Sequence, residues 1–95
     1  MTDTIRDNTA RHRFELDAEG GIAFISYRAI PGGLYLMHTE TPAALRGRGI
    51  ATRLARGTLE TIRARGQKIR VGCEFLIEFM GRNREFDDLL AKGES

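Results

Sequence analysis

Gly47 and Gly49, one arginine apart, stand where the hydrophobic period of the chain changes. Ahead of them, Leu34 to Thr41 reads as an extended run that Pro42 ends. Behind them, Ala51, Leu54, Ala55, Thr58, Leu59 and Ile62 recur at spacings of three and four, the stripe of an amphipathic helix over Ile50 to Arg65. Gly66 suits its C-cap. Strand, glycine-rich turn and helix start thus meet at one junction. The first-turn N–H groups of such a helix lack intrahelical acceptors, and its dipole favours an anion there. Glycines allow close approach to the backbone. Arg46 and Arg48 add positive charge in the fork geometry that suits phosphate. The same residues also read as a surface turn with a glycine at the helix start.

The junction is not a Walker A loop, which requires Gly, four residues, then Gly-Lys-Ser/Thr. It is not the dinucleotide fingerprint G-x-G-x-x-G, because Thr52 stands where the third glycine belongs. On the N-terminal side, His12, Phe14 and Leu16 alternate with Arg13, Glu15 and Asp17, which predicts a half-buried strand. Glu19-Gly20-Gly21 reads as a hairpin turn, Ile22 to Ile30 as a second strand, and Pro31-Gly32-Gly33 as a second turn before the run from Leu34. Turns this short make the three strands an antiparallel meander. On the C-terminal side, Lys68 to Gly72 is a fourth strand, set parallel to the third by the helical crossover in a right-handed βαβ unit. Cys73 stands at its end. Phe75, Leu76, Phe79 and Met80 form an apolar helical stripe that Gly81 breaks. Asn83 is placed to cap a last short turn with Phe86, Leu89 and Leu90 pointing inward. Gly57, inside the long helix, is expected to mark a close packing contact.

Ninety-five residues allow one folded domain, placed over residues 11–91, with polar tails at 1–10, expected to be disordered, and 92–95. One cysteine excludes an internal disulfide, and one cysteine with two histidines argues against a structural zinc site or any other metal centre. No run approaches about 20 apolar residues and no signal-peptide core is visible, which predicts a cytoplasmic protein without a membrane partner. The net charge of +2 is unevenly placed. Residues 46–70 hold eight basic side chains against Glu60, so this window carries +7 and the remainder −5. An anionic ligand, either a phosphorylated cofactor or nucleic acid, fits that distribution. A solvated helix face accounts for Arg56, Arg63 and Arg65. The long helix offers no aromatic residue for base stacking and no RRM or KH signature is present, which argues against nucleic acid.

Arg46, Gly49 and Ala51 spell R-x-x-G-x-A, which resembles the acyl-CoA pyrophosphate loop of the GNAT acetyltransferases. The order strand, strand, strand, loop, helix, strand, helix is similar to the core of that fold from about Phe14 to Leu90. The chain most resembles the short, single-domain branch of the superfamily, at His38-Thr39-Glu40, at Leu45 to Ala51, at Cys73-Glu74-Phe75, and from Arg82-Asn83 to Leu89. The fold class implied is α/β (α+β), a minimal GNAT fold. The activity implied is acetyl transfer from acetyl-CoA to an amine, a small molecule or a protein lysine, with no metal. The alternative is a CoA-binding module that acts through a protein partner with little turnover. By resemblance, Arg46, Gly47, Arg48, Gly49, Ile50 and Ala51 hold the pyrophosphate, backbone groups of Glu40 and Thr41 hold the pantetheine arm, and Asn83 also belongs to the cofactor site. The chain departs from relatives at Glu74, where many have proline, and at Arg84 and Phe86, where many have proline and tyrosine. Phe86 cannot protonate a leaving thiolate as a tyrosine would. The two helices that shape the acceptor side of larger GNAT enzymes have no counterpart.

Cys73 is the nucleophile of note, at a strand end beside a helix start, a setting that lowers thiol pKa. It equally reads as a small buried hydrophobe. A histidine has an unperturbed pKa near neutrality, which makes His38 a candidate base for an amine or for Cys73. It follows Leu34 and Leu36 at period two, so the alternation points it inward toward Cys73, where it also reads as a partly buried structural histidine. His12 reads as structural, and Glu40 as either a base or a solvated strand residue.

Overall fold

A computed structural model of the chain describes residues 5–18 and 21–91. Alternation builds the first half. β2 (Arg13–Ala18), β3 (Gly21–Ile30) and β4 (Gly33–Glu40) form the expected antiparallel meander, with Ala18 opposite Gly21 and Ile30 opposite Gly33. Glu19 and Gly20 of the first expected turn lie outside the described residues, as do residues 1–4 and the tail 92–95. His12 takes a left-handed φ of 54° just before β2 and not an extended one, and its carbonyl accepts the Tyr27 N–H at 2.9 Å. One element was not foreseen. Ile5–Asn8, within the stretch expected to be disordered, forms β1 and pairs antiparallel with β2.

The chain then passes through a 3₁₀ turn (Ala43–Leu45) into α1 (Ile50–Ala64), returns as β5 (Lys68–Val71), and ends in α2 (Glu74–Arg82) and a 3₁₀ segment (Arg84–Leu89). The sheet order is β1-β2-β3-β4-β5, with β5 parallel to β4 as the helical crossover requires. This is the mixed α+β arrangement of a minimal GNAT fold, with four antiparallel strands instead of three. The stripe of α1 buries Ile50, Leu54, Ala55, Thr58, Leu59 and Ile62 with the inward residues of the sheet, Phe14, Leu16, Ile25 and Leu36 among them. Each such Leu, Ile or Phe contributes about 1.5–3 kcal/mol relative to exposure.

Three local expectations at the C-terminal end change. Gly81 does not break α2, which runs on to Arg82 and stops where Asn83 leaves helical geometry at φ −130° and ψ 70°. The Asn83 side chain makes no cap to the segment after it; its Nδ2 donates back to the Phe79 carbonyl at 2.8 Å and closes the end of α2. Phe86 and Leu89 are buried as expected, but Leu90 is exposed, because the backbone there runs beside β5, bridges to Ile69 and cannot turn that side chain inward. No helix among the described residues is long and apolar enough to cross a membrane.

Candidate acyl-CoA site

Two features of β4 build the site. The first is where its pairing with β5 stops. The last parallel pair is Leu36 with Val71, followed by a bond from the Gly72 N–H to the Leu36 carbonyl at 2.9 Å. β4 continues to Glu40, while the other segment turns away at Cys73 into α2. Met37 to Glu40 therefore run on without a β5 partner, and a notch opens between β4 and the start of α2.

The second feature is a β-bulge. Ser26 pairs with His38 but Tyr27 pairs with Leu36, so Met37 is an extra residue on β4. An inserted residue reverses the alternation beyond it. His38 thus turns outward and does not follow Leu34 and Leu36 into the core. Its Nε2 lies 3.1 Å from Oε1 of Glu40, with the two side chains 60% and 58% exposed. Thr39 takes the inward direction instead, and its Oγ1 lies 3.4 Å from Sγ of Cys73. The expected His38–Cys73 approach is replaced by Thr39–Cys73.

Cys73 is half-buried at the N-cap of α2 in extended geometry. Burial pushes its thiol up. The Thr39 hydroxyl and backbone N–H groups of Leu76, Phe75 and Thr39 hydrogen-bond the sulfur and outweigh that, leaving the pKa below the ordinary cysteine value.

The glycine junction folds as a cradle. Leu45 is buried and anchors the loop, and Arg46 Nε reaches the Thr41 carbonyl at 3.4 Å. Gly47 and Gly49 both take left-handed φ, 82° and 73°, which L side chains adopt at a cost. A Cβ at either position would meet no atom within 4 Å, so the glycines are required by backbone angle rather than by crowding. α1 begins at Ile50 with no acidic residue in its first turn and no side-chain cap, so its N–H groups and dipole face outward. Arg46 and Arg48 are exposed beside them.

Two clefts follow. One, of about 240 Å³, is bounded by Gly47, Gly49, Ile50 and Thr52. The other, of about 470 Å³, runs along His38, Thr39 and Glu40 to Phe75. Both share Thr41, Arg46 and Ala51, so the two clefts adjoin and together make a groove that extends from the glycine loop to Thr39 and Phe75, on either side of Cys73. Most of the residues expected to bind a cofactor are brought together along it, and His38 lies in its wall. Arg48 and Cys73 line neither cleft, and nor does Asn83. Its amide is engaged at both ends, with Nδ2 on Phe79 and Oδ1 accepting from Arg56 at 2.9 Å. Besides Leu45 and Thr52 at the loop, Thr39 and Phe75 are groove residues that sequence reasoning missed. Phe75 fell in the apolar stripe of α2, and the bulge that aims Thr39 leaves no mark on a period-two pattern. Among the described residues, no three His, Cys, Asp or Glu side chains converge on a possible metal position.

Fold and clefts define an α/β protein with a glycine-lined cleft at a helix start and an adjoining cleft lined by Thr39, the hydrogen-bond partner of a thiol. A family model described as GCN5-related N-acetyl-transferase matches residues 13–89, and the chain belongs to that family. It is also similar to Protein NATD1 of Bos taurus, 40% identical over 48 residues, which is 50% of this chain. That match spans about two fifths of the relative's own length, 42%.

Proposed function

We propose that the chain takes an acetyl group from acetyl-CoA and passes it to an amine. The observation that carries the reading is the pair of adjoining clefts that reach from the glycine loop to Thr39 and Phe75. The cradle fits a pyrophosphate, since α1 starts there with no side-chain cap and no acidic residue to offset its dipole, and Arg46 lines the cleft while Arg48 is exposed in the same loop. Gly47 to Ala51, with Arg46 and Arg48, would hold the pyrophosphate, and backbone groups of Glu40 and Thr41 the pantetheine arm. Bound there, acetyl-CoA supplies the activated thioester. The Cys73 sulfur bonds to the acetyl carbon as the bond from that carbon to the coenzyme sulfur breaks, and the thiol proton ends on released CoA. The acceptor amine then bonds to the acetyl carbon as the bond from that carbon to the Cys73 sulfur breaks. His38, open to the groove beside Glu40, takes the proton that the amine loses and releases it to solvent, from which the sulfur regains its own. The free thiol is consistent with a cytoplasmic setting.

Ala51→Glu tests the groove. A carboxylate in the first turn of α1 is tolerated by the helix dipole, and Ala51 stands in the wall common to both clefts. Calorimetry should show CoA affinity reduced at least tenfold with the melting temperature preserved. Equal affinity would remove CoA from this groove. Release of free CoA on adding an amine separates transfer from a binding module that works through a partner. Transfer at the parent rate by Cys73→Ala would eliminate the covalent step and leave direct attack by the amine.

A further inference from the structure

We infer that the Thr39 hydroxyl, and not an imidazole, is the group that positions the Cys73 sulfur. The inference rests on the reading of Cys73 as the acetyl carrier. Its own support is geometric. The bulge at Met37 reverses the strand so that Thr39 points where alternation would have put His38. The β4–β5 ladder ends just before this point, which lets a side chain on β4 reach a side chain at the start of α2. Thr39 Oγ1 sits 3.4 Å from the sulfur and itself lines the groove. The His38 ring is instead held at Glu40 on the exposed side of the strand.

A hydroxyl suits both states of the sulfur. As a thiol, Cys73 donates its S–H to Oγ1; as a thiolate, it accepts the Thr39 O–H, because the hydroxyl rotor can turn either way. Thr39 passes no proton on. It holds the sulfur against a residue of the groove wall and stabilises the charged form. The titratable and charged side chains on the surrounding elements are His38 and Glu40 of β4, Arg46 and Arg48 of the loop, Lys68 and Arg70 of β5, and Glu74, Glu78 and Arg82 of α2. All are exposed, and the groups that lower the thiol are neutral hydrogen-bond donors.

The test is the pH profile of Cys73 alkylation by iodoacetamide in the full chain, where a single cysteine makes the readout unambiguous. Thr39→Val removes the hydroxyl at similar volume. It should raise the midpoint by about one pH unit, as loss of a hydrogen bond to a charged group does, and slow alkylation at pH 7 severalfold. Thr39→Ser should restore the parent profile, and His38→Ala should leave it in place. If Thr39→Val does not fold, Thr39→Ala takes its place with the same expected shift. A parent-like profile in the hydroxyl-free variant, no restoration by serine, or an upward shift in His38→Ala each overturns the inference. The alkylation profile is read without CoA, so it stands apart from the carrier role, which the transfer rate of Cys73→Ala decides.

Discussion

Glu15 lies between Phe14 and Leu16 on β2 and is 2% exposed, although alternation directs it to the opposite face of the sheet. Arg6 of β1 bonds to it, Arg13 Nε lies 2.6 Å from Oε2, and Asn8 Nδ2 donates to the same oxygen at 3.0 Å. Arg13 also lies over the Phe24 ring, 4.2 Å from its centre. Hydrogen bonds from Arg6 and then Arg13 hold the Glu15 carboxyl down at about 2, against the opposing effect of burial. Because the folded pKa lies below the unfolded value, the unfolded chain binds more protons between them and stability rises with pH over that interval. The contribution, roughly 3 kcal/mol, is fully present above about pH 4.5 and is lost as pH falls through about 2. Glu15→Gln should therefore melt several degrees below the parent at pH 7, with the gap closing toward pH 2; a gap of constant size would show that the ion cluster carries none of the acid sensitivity. The alternation of β2 was legible in the sequence. The burial of its polar side was not, because it depends on Arg6 and Asn8 from a strand that hydropathy does not reveal. The same limit applies to His38, whose direction one extra residue on β4 reverses.

At the scale of elements, β2 to β5 and α1 were legible, since each carries the period its burial demands. β1 was not: Ile5-Arg6-Asp7-Asn8 contains a single apolar residue. Gly57 pointed to it indirectly. A Cβ on Gly57 would lie 2.4 Å from Cγ1 of Ile5, so the glycine lets β1 pack down on α1. Two effects compete when Gly57 becomes alanine. The helix gains about 0.5–1 kcal/mol in propensity, while the overlap with Ile5 costs about 1–3 kcal/mol. Overlap wins, and Gly57→Ala should destabilise the parent in chemical denaturation. In an Ile5→Ala background the overlap is gone, and the same change should stabilise by about 0.5–1 kcal/mol. An unchanged sign across the two backgrounds would place the packing of Gly57 elsewhere than against Ile5.

Across the whole molecule, α1 is fastened to both terminal segments by the arginines that the charge pattern assigned to a solvated face. Arg56 reaches Asn83 and Glu85 and lies over Phe79 and Phe86, and Arg63 pairs with Asp88. Arg65 pairs with Asp7 of β1 at 2.8 Å. These contacts consume charge that would otherwise favour a nucleic-acid surface, while Arg46 and Arg48 at the other end of the window remain exposed at the cradle. The sequence shows the charge but not its partners, which lie up to 58 residues away along the chain. Asp7 is the furthest-reaching of them. It accepts a bond from the Tyr27 hydroxyl at 2.5 Å as well as from Arg65, and so joins β1, β3 and the end of α1. Burial, with Asp7 next, pushes the Tyr27 phenol up to about 12. Asp7→Ala leaves the buried hydroxyl without its acceptor and frees Arg65, at a cost of about 1–3 kcal/mol. For a domain of this size the melting temperature should fall by roughly 4–8 °C for each kcal/mol. The N-terminus of α1 carries the proposed cofactor cradle and its C-terminus carries the Asp7 contact, so CoA affinity at 25 °C should stay within twofold of the parent. Spectrophotometric titration should also bring the Tyr27 pKa down from about 12, since its acceptor is removed while its burial persists. A variant that melts with the parent and keeps the high tyrosine pKa would show that β1 is held by Ile5 and the strand pairing alone.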